Sequence, residues 1–220
     1  MTINANPFLP EIELRTVEDL TVAVADVGAL IDEAALGKAL TAVSPYRRDK
    51  ALAYKMPVGR ALSVGAALLT DVLLQRFGLR ESDMTYVIGG HGKPRFAAHP
   101  ELHFSISHSG RLAACAMGRR EMGLDIQQPT KKRDEVVRRV CSEAEQEFLQ
   151  AQGESAFPTA FARLWALKES WFKATGTGIT DHYPAFELSG DAPRLTTPSA
   201  PCTFREFMFG PVPCALCVME

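Results

Sequence analysis

The residues able to do chemistry gather in three stretches of the chain. The first is Leu164-Trp165-Ala166-Leu167-Lys168-Glu169-Ser170-Trp171-Phe172-Lys173, closed by Gly176-Thr177-Gly178. On a helix Glu169 and Lys173 are four apart and share a face, with Trp165 one turn before Glu169. An exposed pair at that spacing is an ordinary helix stabiliser worth about 0.2–0.5 kcal/mol. Trp165, Trp171, Phe172 and the glycine-rich exit argue instead for a pair partly shielded from water.

The second stretch is Met122-Gly123-Leu124-Asp125-Ile126-Gln127, an apolar strand pattern in which aspartate is disfavoured. An acid there costs desolvation unless it is paired, hydrogen-bonded or bound to a cation. Asp125 and Glu169 are therefore candidates to converge on a hard cation, and oxygen ligands with retained waters suit magnesium in phosphate chemistry. The competing reading is two unrelated acids, each with its own basic partner. The third stretch is Gly89-Gly90-His91-Gly92-Lys93-Pro94, followed by Phe104-Ser105-Ile106-Ser107-His108-Ser109-Gly110. Walker-type spacing fails, because the residue five before Gly92 is Val87 and Lys93 is followed by proline. Glycines beside a lysine still offer backbone N–H groups to an anion, and Ser107 and His108 add donors at a strand end. A basic run, Arg47-Arg48-Asp49-Lys50, opens the first helix, where a solvated charged turn is the usual meaning.

The elements that must position these residues follow from pattern. Residues 21–27 alternate as a strand, Ser44-Pro45 reads as an N-cap with proline at the first helical position, and Pro57 interrupts the helical pattern, which resumes over 58–77 as either a second helix or a kinked continuation of the first. Strands are expected at 86–88, 103–107, 112–117 and 122–127, helices at 134–140, 142–150 and 158–175, and strands near Phe186 and over 204–209 and 215–218. The order strand, helices, strands occurs twice, which gives an α+β chain of two similar halves, 1–119 and 120–220. At 220 residues, 46% hydrophobic and 23% charged, the composition is that of an ordinary globular chain without need of disulfide or metal staples. A net charge of -2 provides no bulk attraction for nucleic acid or anionic membrane. Five cysteines, an odd number without a scaffold pattern, fit free thiols in a reducing compartment. With no leader-like N-terminus and no apolar run expected to reach spanning length, a soluble cytoplasmic protein is expected.

Two other chemistries are weaker. Ser107-His108-Ser109 lacks a G-x-S-x-G elbow, and adjacent strand side chains point to opposite faces, which disfavours a serine hydrolase. Cys214-Ala215-Leu216-Cys217 is a single C-x-x-C on a strand, better read as two packed thiols than as a zinc or redox site, and His99-Pro100-Glu101-Leu102-His103 is not H-E-x-x-H.

Taken together, Gly92-Lys93-Pro94, Phe104-Ser105-Ile106-Ser107-His108-Ser109, Gly123-Leu124-Asp125-Ile126 and Trp165-Ala166-Leu167-Lys168-Glu169-Ser170 through Lys173 to Gly178 resemble the Sfp-type phosphopantetheinyl transferases. The resemblance runs from Ser44 to about Phe186. It implies two α+β halves with pseudo-two-fold symmetry, an N-terminal half contributing coenzyme A phosphate contacts and a C-terminal half holding the metal and catalytic motifs, with coenzyme A between them. It implies transfer of the phosphopantetheine arm of coenzyme A to a serine hydroxyl of an apo acyl or peptidyl carrier protein, with Mg2+ and release of adenosine bisphosphate. Asp125 and Glu169 become magnesium ligands, Glu169 the first choice for proton acceptor, and Lys173 a catalytic cation that also meets the phosphates. Lys93, Ser107 and His108 become coenzyme A phosphate contacts, and Arg47 and Lys50 match more loosely the positions that hold the ribose phosphate. Glu145 falls where many members carry an acid near the metal, although Ser142-Glu143-Ala144-Glu145 is also a capping box. One departure stands out: Gln127 occupies a position that is Glu in many members and a third metal ligand there, so altered metal dependence is expected. A catalytically impaired coenzyme A binding module is the alternative. The expected partners are coenzyme A and a carrier protein, with no nucleic acid, no membrane and a monomeric state.

Overall fold

In the computed structural model, which describes residues 1–3, 6–131, 134–190 and 192–220, the chain divides into units Met1–Glu121 and Met122–Glu220. Both are α+β. The first comprises β1 (Thr2–Ile3), β2 (Ile12–Val17), β3 (Leu20–Asp26), α1 (Glu33–Leu40), α2 (Pro45–Leu52), α3 (Pro57–Leu74), β4 (Tyr86–Ile88), β5 (Pro94–Phe96), β6 (His103–Ser109) and β7 (Leu112–Gly118). Its main sheet runs β1-β2-β3-β7-β6 and is antiparallel throughout. β3 and β7, at its centre, are buried along nearly their whole length, and α3 packs on β7. The β4–β5 hairpin is a separate two-stranded ribbon.

The second unit comprises β8 (Met122–Ile126), α4 (Asp134–Val140), α5 (Glu143–Ala151), α6 (Gly153–Thr175), β9 (Phe186–Glu187), β10 (Arg194–Leu195), β11 (Cys202–Phe209) and β12 (Val212–Met219). Its sheet runs β11-β12-β8, with α6 lying on β12 and β8. In each unit the strand preceding the main helices pairs antiparallel with the unit's last strand, β3 with β7 and β8 with β12.

Ser44 caps α2 as its sequence demands: its Oγ accepts from the Arg47 N–H at 3.3 Å, and Pro45 occupies the first turn. Met56 is extended before Pro57, so α2 and α3 are two helices and not one kinked rod. Three differences from the sequence expectations stand out. β2 and α1 were not expected, although Ile12-Glu13-Leu14-Arg15 alternates apolar and charged residues as a half-buried strand does and Asp32 caps α1 by accepting from Ala35 N–H at 2.9 Å. α6 starts at Gly153 and carries Pro158 inside it, near enough to the helix start that only the bond to the exposed Glu154 carbonyl is forgone. Residues Pro57–Phe77 form a stretch long and apolar enough to cross a membrane, contrary to the expectation that no run reaches that length. Most of that stretch is buried inside the first unit, so its apolarity is accounted for by the core.

Candidate functional site

In the second unit the site is built where α6 crosses β8. Strand alternation puts Gly123 and Asp125 on the same face of β8, the one turned to α6. At Gly123 strand and helix are in close contact: a Cβ there would lie 2.0 Å from the Ser170 carbonyl oxygen and 2.3 Å from the Ala174 nitrogen. The helix can lie this near the strand only because the residue has no side chain. Two residues along, Asp125 is 5% exposed, and its Oδ1 accepts a 2.6 Å hydrogen bond from Lys173 Nζ, which also donates to the Leu124 carbonyl at 3.1 Å. The buried aspartate is thus neutralised by the lysine that the pattern had set opposite Glu169.

Glu169, one turn before Lys173, is half-buried and accepts no hydrogen bond among the described residues. Burial pushes its carboxyl above the usual carboxylate range and the negative charge of Asp125 pushes it further, while Lys173 opposes both. The two acids are therefore close enough to feel each other. Among the described residues no cluster of three or more His, Cys, Asp or Glu side chains stands ready for a metal. Two carboxylates still suit a hard divalent cation that takes its remaining ligands from substrate phosphates and water. Gln127 follows β8 with its N–H donating to the Pro213 carbonyl, and its side-chain amide donates to the Gln128 carbonyl at 3.3 Å.

Glu145 has another occupation. It is 1% exposed, its Oε2 accepts from Ser142 N–H at 2.7 Å in a complete capping box, and its carboxylate accepts from Lys168 Nζ at 2.7 and 2.9 Å and from Phe186 N–H at 2.8 Å. Lys168 also donates to the Pro184 carbonyl. This buried pair binds α5, α6 and the approach to β9 together, so Glu145 is a structural acid with its oxygens already taken. Lys168, one residue before Glu169, was not singled out from sequence; its only signal there was a charge between apolar neighbours at 167 and 171–172.

In the first unit Lys93 is half-buried and ion-paired with Glu121, which also accepts from Arg95 and stands 3.3 Å from His103 Nδ1. Burial works against the Glu121 carboxylate, but Lys93 and Arg95 outweigh it and hold its pKa below the usual range. No sequence signal marked Glu121. Ser107 is buried and His108 exposed near the end of β6, on opposite faces as alternation requires. The basic run opening α2 is not a uniformly solvated turn. Lys50 is half-buried, 5.9 Å from the Tyr46 ring, and its pKa is lowered by burial and by Arg47. Arg47 is 1% exposed, with its guanidinium 4.9 Å from the Tyr86 ring centroid and 5.8 Å from that of Phe104. Its Nε and Nη2 have no hydrogen-bond partner among the described residues.

Residues 121–212, which include Asp125, Glu169 and Lys173, match the family model of the 4'-phosphopantetheinyl transferase superfamily. A 4'-phosphopantetheinyl transferase of Bacillus subtilis is 31% identical over 151 residues, 68% of this chain and 67% of that protein. The 4'-phosphopantetheinyl transferase Sfp of Bacillus subtilis strain 168 is 32% identical over 148 residues, 66% of each chain. The matches thus span about two thirds of these relatives. The solved holo-[acyl-carrier-protein] synthase of Thermotoga maritima aligns with 46% of this chain and 62% of its own, at 23% identity and a TM-score of 0.39. An aspartate buried in a strand, answered by a lysine one helical turn beyond a half-buried glutamate, lies within a segment that matches the family model, and identity at this level over two thirds of a relative settles the family: the chain belongs to the 4'-phosphopantetheinyl transferases.

Proposed function

We propose that Asp125, Glu169 and Lys173 carry the transfer chemistry of this enzyme. A phosphopantetheinyl transferase moves the phosphopantetheine arm of coenzyme A to a carrier protein; the relatives' names give no support to the impaired binding module considered above. The observation that carries the residue assignment is the 2.6 Å contact between Lys173 Nζ and Asp125 Oδ1, with Glu169 one turn away on the same helix.

The serine hydroxyl of the carrier attacks the phosphorus bearing the pantetheine arm, a new P–O bond forms, and the P–O bond to adenosine bisphosphate breaks. Glu169 takes the hydroxyl proton, directly or through water. Its half-burial and the nearby Asp125 charge raise its basicity above that of an ordinary carboxylate, and Lys173 opposes them. Lys173 offers its ammonium to phosphate oxygens where negative charge builds, which is the largest kind of contribution a fixed cation makes. Asp125 and Glu169 would hold Mg2+, and a bound Mg2+ supplies charge neutralisation on the pyrophosphate. Lys93, Ser107 and His108 in the first unit, with Lys50 and Arg47 on α2, are read as coenzyme A phosphate contacts. The buried setting of Arg47 supports a role through α2's packing as much as through the ligand. A carrier protein bearing the accepting serine is the protein partner, and the enzyme works as a cytoplasmic monomer.

The test is mass spectrometry of apo carrier proteins incubated with coenzyme A and magnesium. The carrier gains one phosphopantetheine with the wild-type enzyme, and the gain disappears when EDTA replaces magnesium. Glu169→Ala abolishes transfer with the fold intact; unchanged turnover in that variant defeats the assignment.

A further inference from the structure

A single buried carboxylate in the first unit joins the two elements that carry the cations read as phosphate contacts. Glu81 lies in the short turn of helix after α3 and is 0% exposed. Its backbone N–H donates to Asp71 Oδ1 at 2.9 Å, which pins the turn to α3. Its side chain faces two ways. Oε2 accepts from Ser44 N–H and Oε1 from Ser44 Oγ, both at 2.7 Å, and Oε1 also accepts from the Tyr86 hydroxyl at 2.6 Å. Ser44 is the N-cap of α2, the helix of Arg47 and Lys50. Tyr86 is the first residue of β4, whose hairpin turn ends at Lys93.

Rings complete the junction. Tyr46 of α2 stacks on Tyr86 with centroids 4.7 Å apart, Lys50 stands over the other ring of that stack, and the Arg47 guanidinium lies against Tyr86 itself. The Tyr86 phenol is held neutral over the whole working pH range, chiefly by burial, so it remains a donor to Glu81. A buried carboxylate carries a desolvation cost unless its oxygens are answered, and here three donors from two separate elements answer it. An apolar side chain would fill the same space without that cost. What the carboxylate adds is a fixed relation between α2 and the β4–β5 hairpin.

We propose that Glu81 is a positioning residue for coenzyme A: through Ser44 and Tyr86 it sets the spacing of Lys50 on α2 and Lys93 on the hairpin, and so the affinity for the phosphate-bearing end of the substrate. This rests on the reading of those lysines as phosphate contacts. Glu81 touches no substrate. Its loss weakens binding of the phosphates without altering the chemistry at Asp125, Glu169 and Lys173.

The experiment measures Kd by calorimetry for coenzyme A and for dephospho-coenzyme A, which lacks the ribose phosphate, in the wild type, Tyr86→Phe and Glu81→Gln. Turnover at saturating coenzyme A and thermal unfolding are followed in parallel. Tyr86→Phe deletes only the hydroxyl that holds the hairpin, and it keeps the inference testable if Glu81→Gln does not fold. Both variants are expected to bind coenzyme A about tenfold more weakly, equivalent to about 1.4 kcal/mol, with a smaller change for the dephospho compound. Saturated turnover stays within about twofold, since an interaction lost equally from ground and transition states leaves kcat alone. Unchanged Kd for coenzyme A in folded Tyr86→Phe overturns the proposal, as does a fall in melting temperature and active fraction with both affinities intact, which is what a merely structural acid gives. A wild-type protein that binds coenzyme A but modifies no carrier counts against the transferase assignment alone and leaves these affinity ratios to be read; one that binds no coenzyme A defeats both.

Discussion

Replacing Gly123 by alanine tests whether the closeness of α6 to β8 is what makes the site. The added Cβ would sit 2.0 Å from Ser170 O, 2.3 Å from Ala174 N and 2.8 Å from Lys173 C. All three are backbone atoms, so no rotamer change relieves the overlap. Ordinary carbon contacts begin near 3.5 Å, so helix and strand must separate by about 1 Å or more. That motion acts on the stretch of α6 bearing Glu169 and Lys173, directly opposite the strand bearing Asp125. Overpacking of this kind costs about 1–3 kcal/mol of stability. A misplacement of about 1 Å at a catalytic constellation costs on the order of a hundredfold in rate. The expected result is a folded protein with a lower melting temperature and kcat/KM for carrier modification down by about two orders of magnitude, read by mass spectrometry against time. Gly37→Ala on α1, where a Cβ meets nothing within 4 Å, is the control and should hold wild-type turnover. Wild-type turnover and melting temperature in Gly123→Ala would refute the argument that this glycine sets the site.

Two further outcomes concern charges outside the chemistry. Lys168→Met leaves Glu145 buried without its cation and should cost about 3–5 kcal/mol, seen as an early unfolding transition, and adding Glu145→Leu should recover much of it; equal stability of the single variant and wild type would refute this. Glu121, flanked by Lys93, Arg95 and His103, has a folded pKa depressed below its ordinary 4.5, so its contribution is fully present above that value and is lost as pH falls through the lower, folded one. Glu121→Gln should therefore flatten the acid limb of a stability–pH curve below about pH 4.5, and an unaltered acid limb would count against that ion pair.

The reach of the sequence follows from range of interaction. Ser44-Pro45 announces the start of α2 because a cap and a first-turn proline act within four residues; β6 was visible because Phe104 and Ile106 alternate with serines, and β7 and β8 because their apolar character is nearly continuous. The misfit of Asp125 in an apolar strand was visible for the same reason. Its partner was not: spacing paired Lys173 with Glu169 on the helix, whereas folding pairs it with Asp125, 48 residues earlier, because Gly123 brings the strand within reach. Glu145 gave a local sign, the capping box, and that sign proved to be half its role, the other half being Lys168 23 residues on. Glu81 and Glu121 gave none, since Ser44 lies 37 residues before Glu81 and Lys93 28 before Glu121, and the one nearby partner, Tyr86, five residues after Glu81, fits no local capping or helical spacing.

Burial and the number of answering donors divide the acids of this protein by task. Glu81 and Glu145 are fully enclosed, and each receives hydrogen bonds from at least two separate segments. A carboxylate so held cannot take up a proton or a ligand without breaking the tertiary junction it makes, so its proper work is to fix elements in place. Glu169 is half-open, receives no hydrogen bond among the described residues and feels a second negative charge. Its ionised form is the one left unsatisfied by the fold, and a proton, a cation or a polar hydrogen of a substrate is what satisfies it. Asp125 stands between the two cases, nearly buried but held by Lys173, a cation whose side chain remains 30% exposed. Opening that pair would release an ammonium and a carboxylate oxygen at the same moment, the two groups that the proposed transfer calls on.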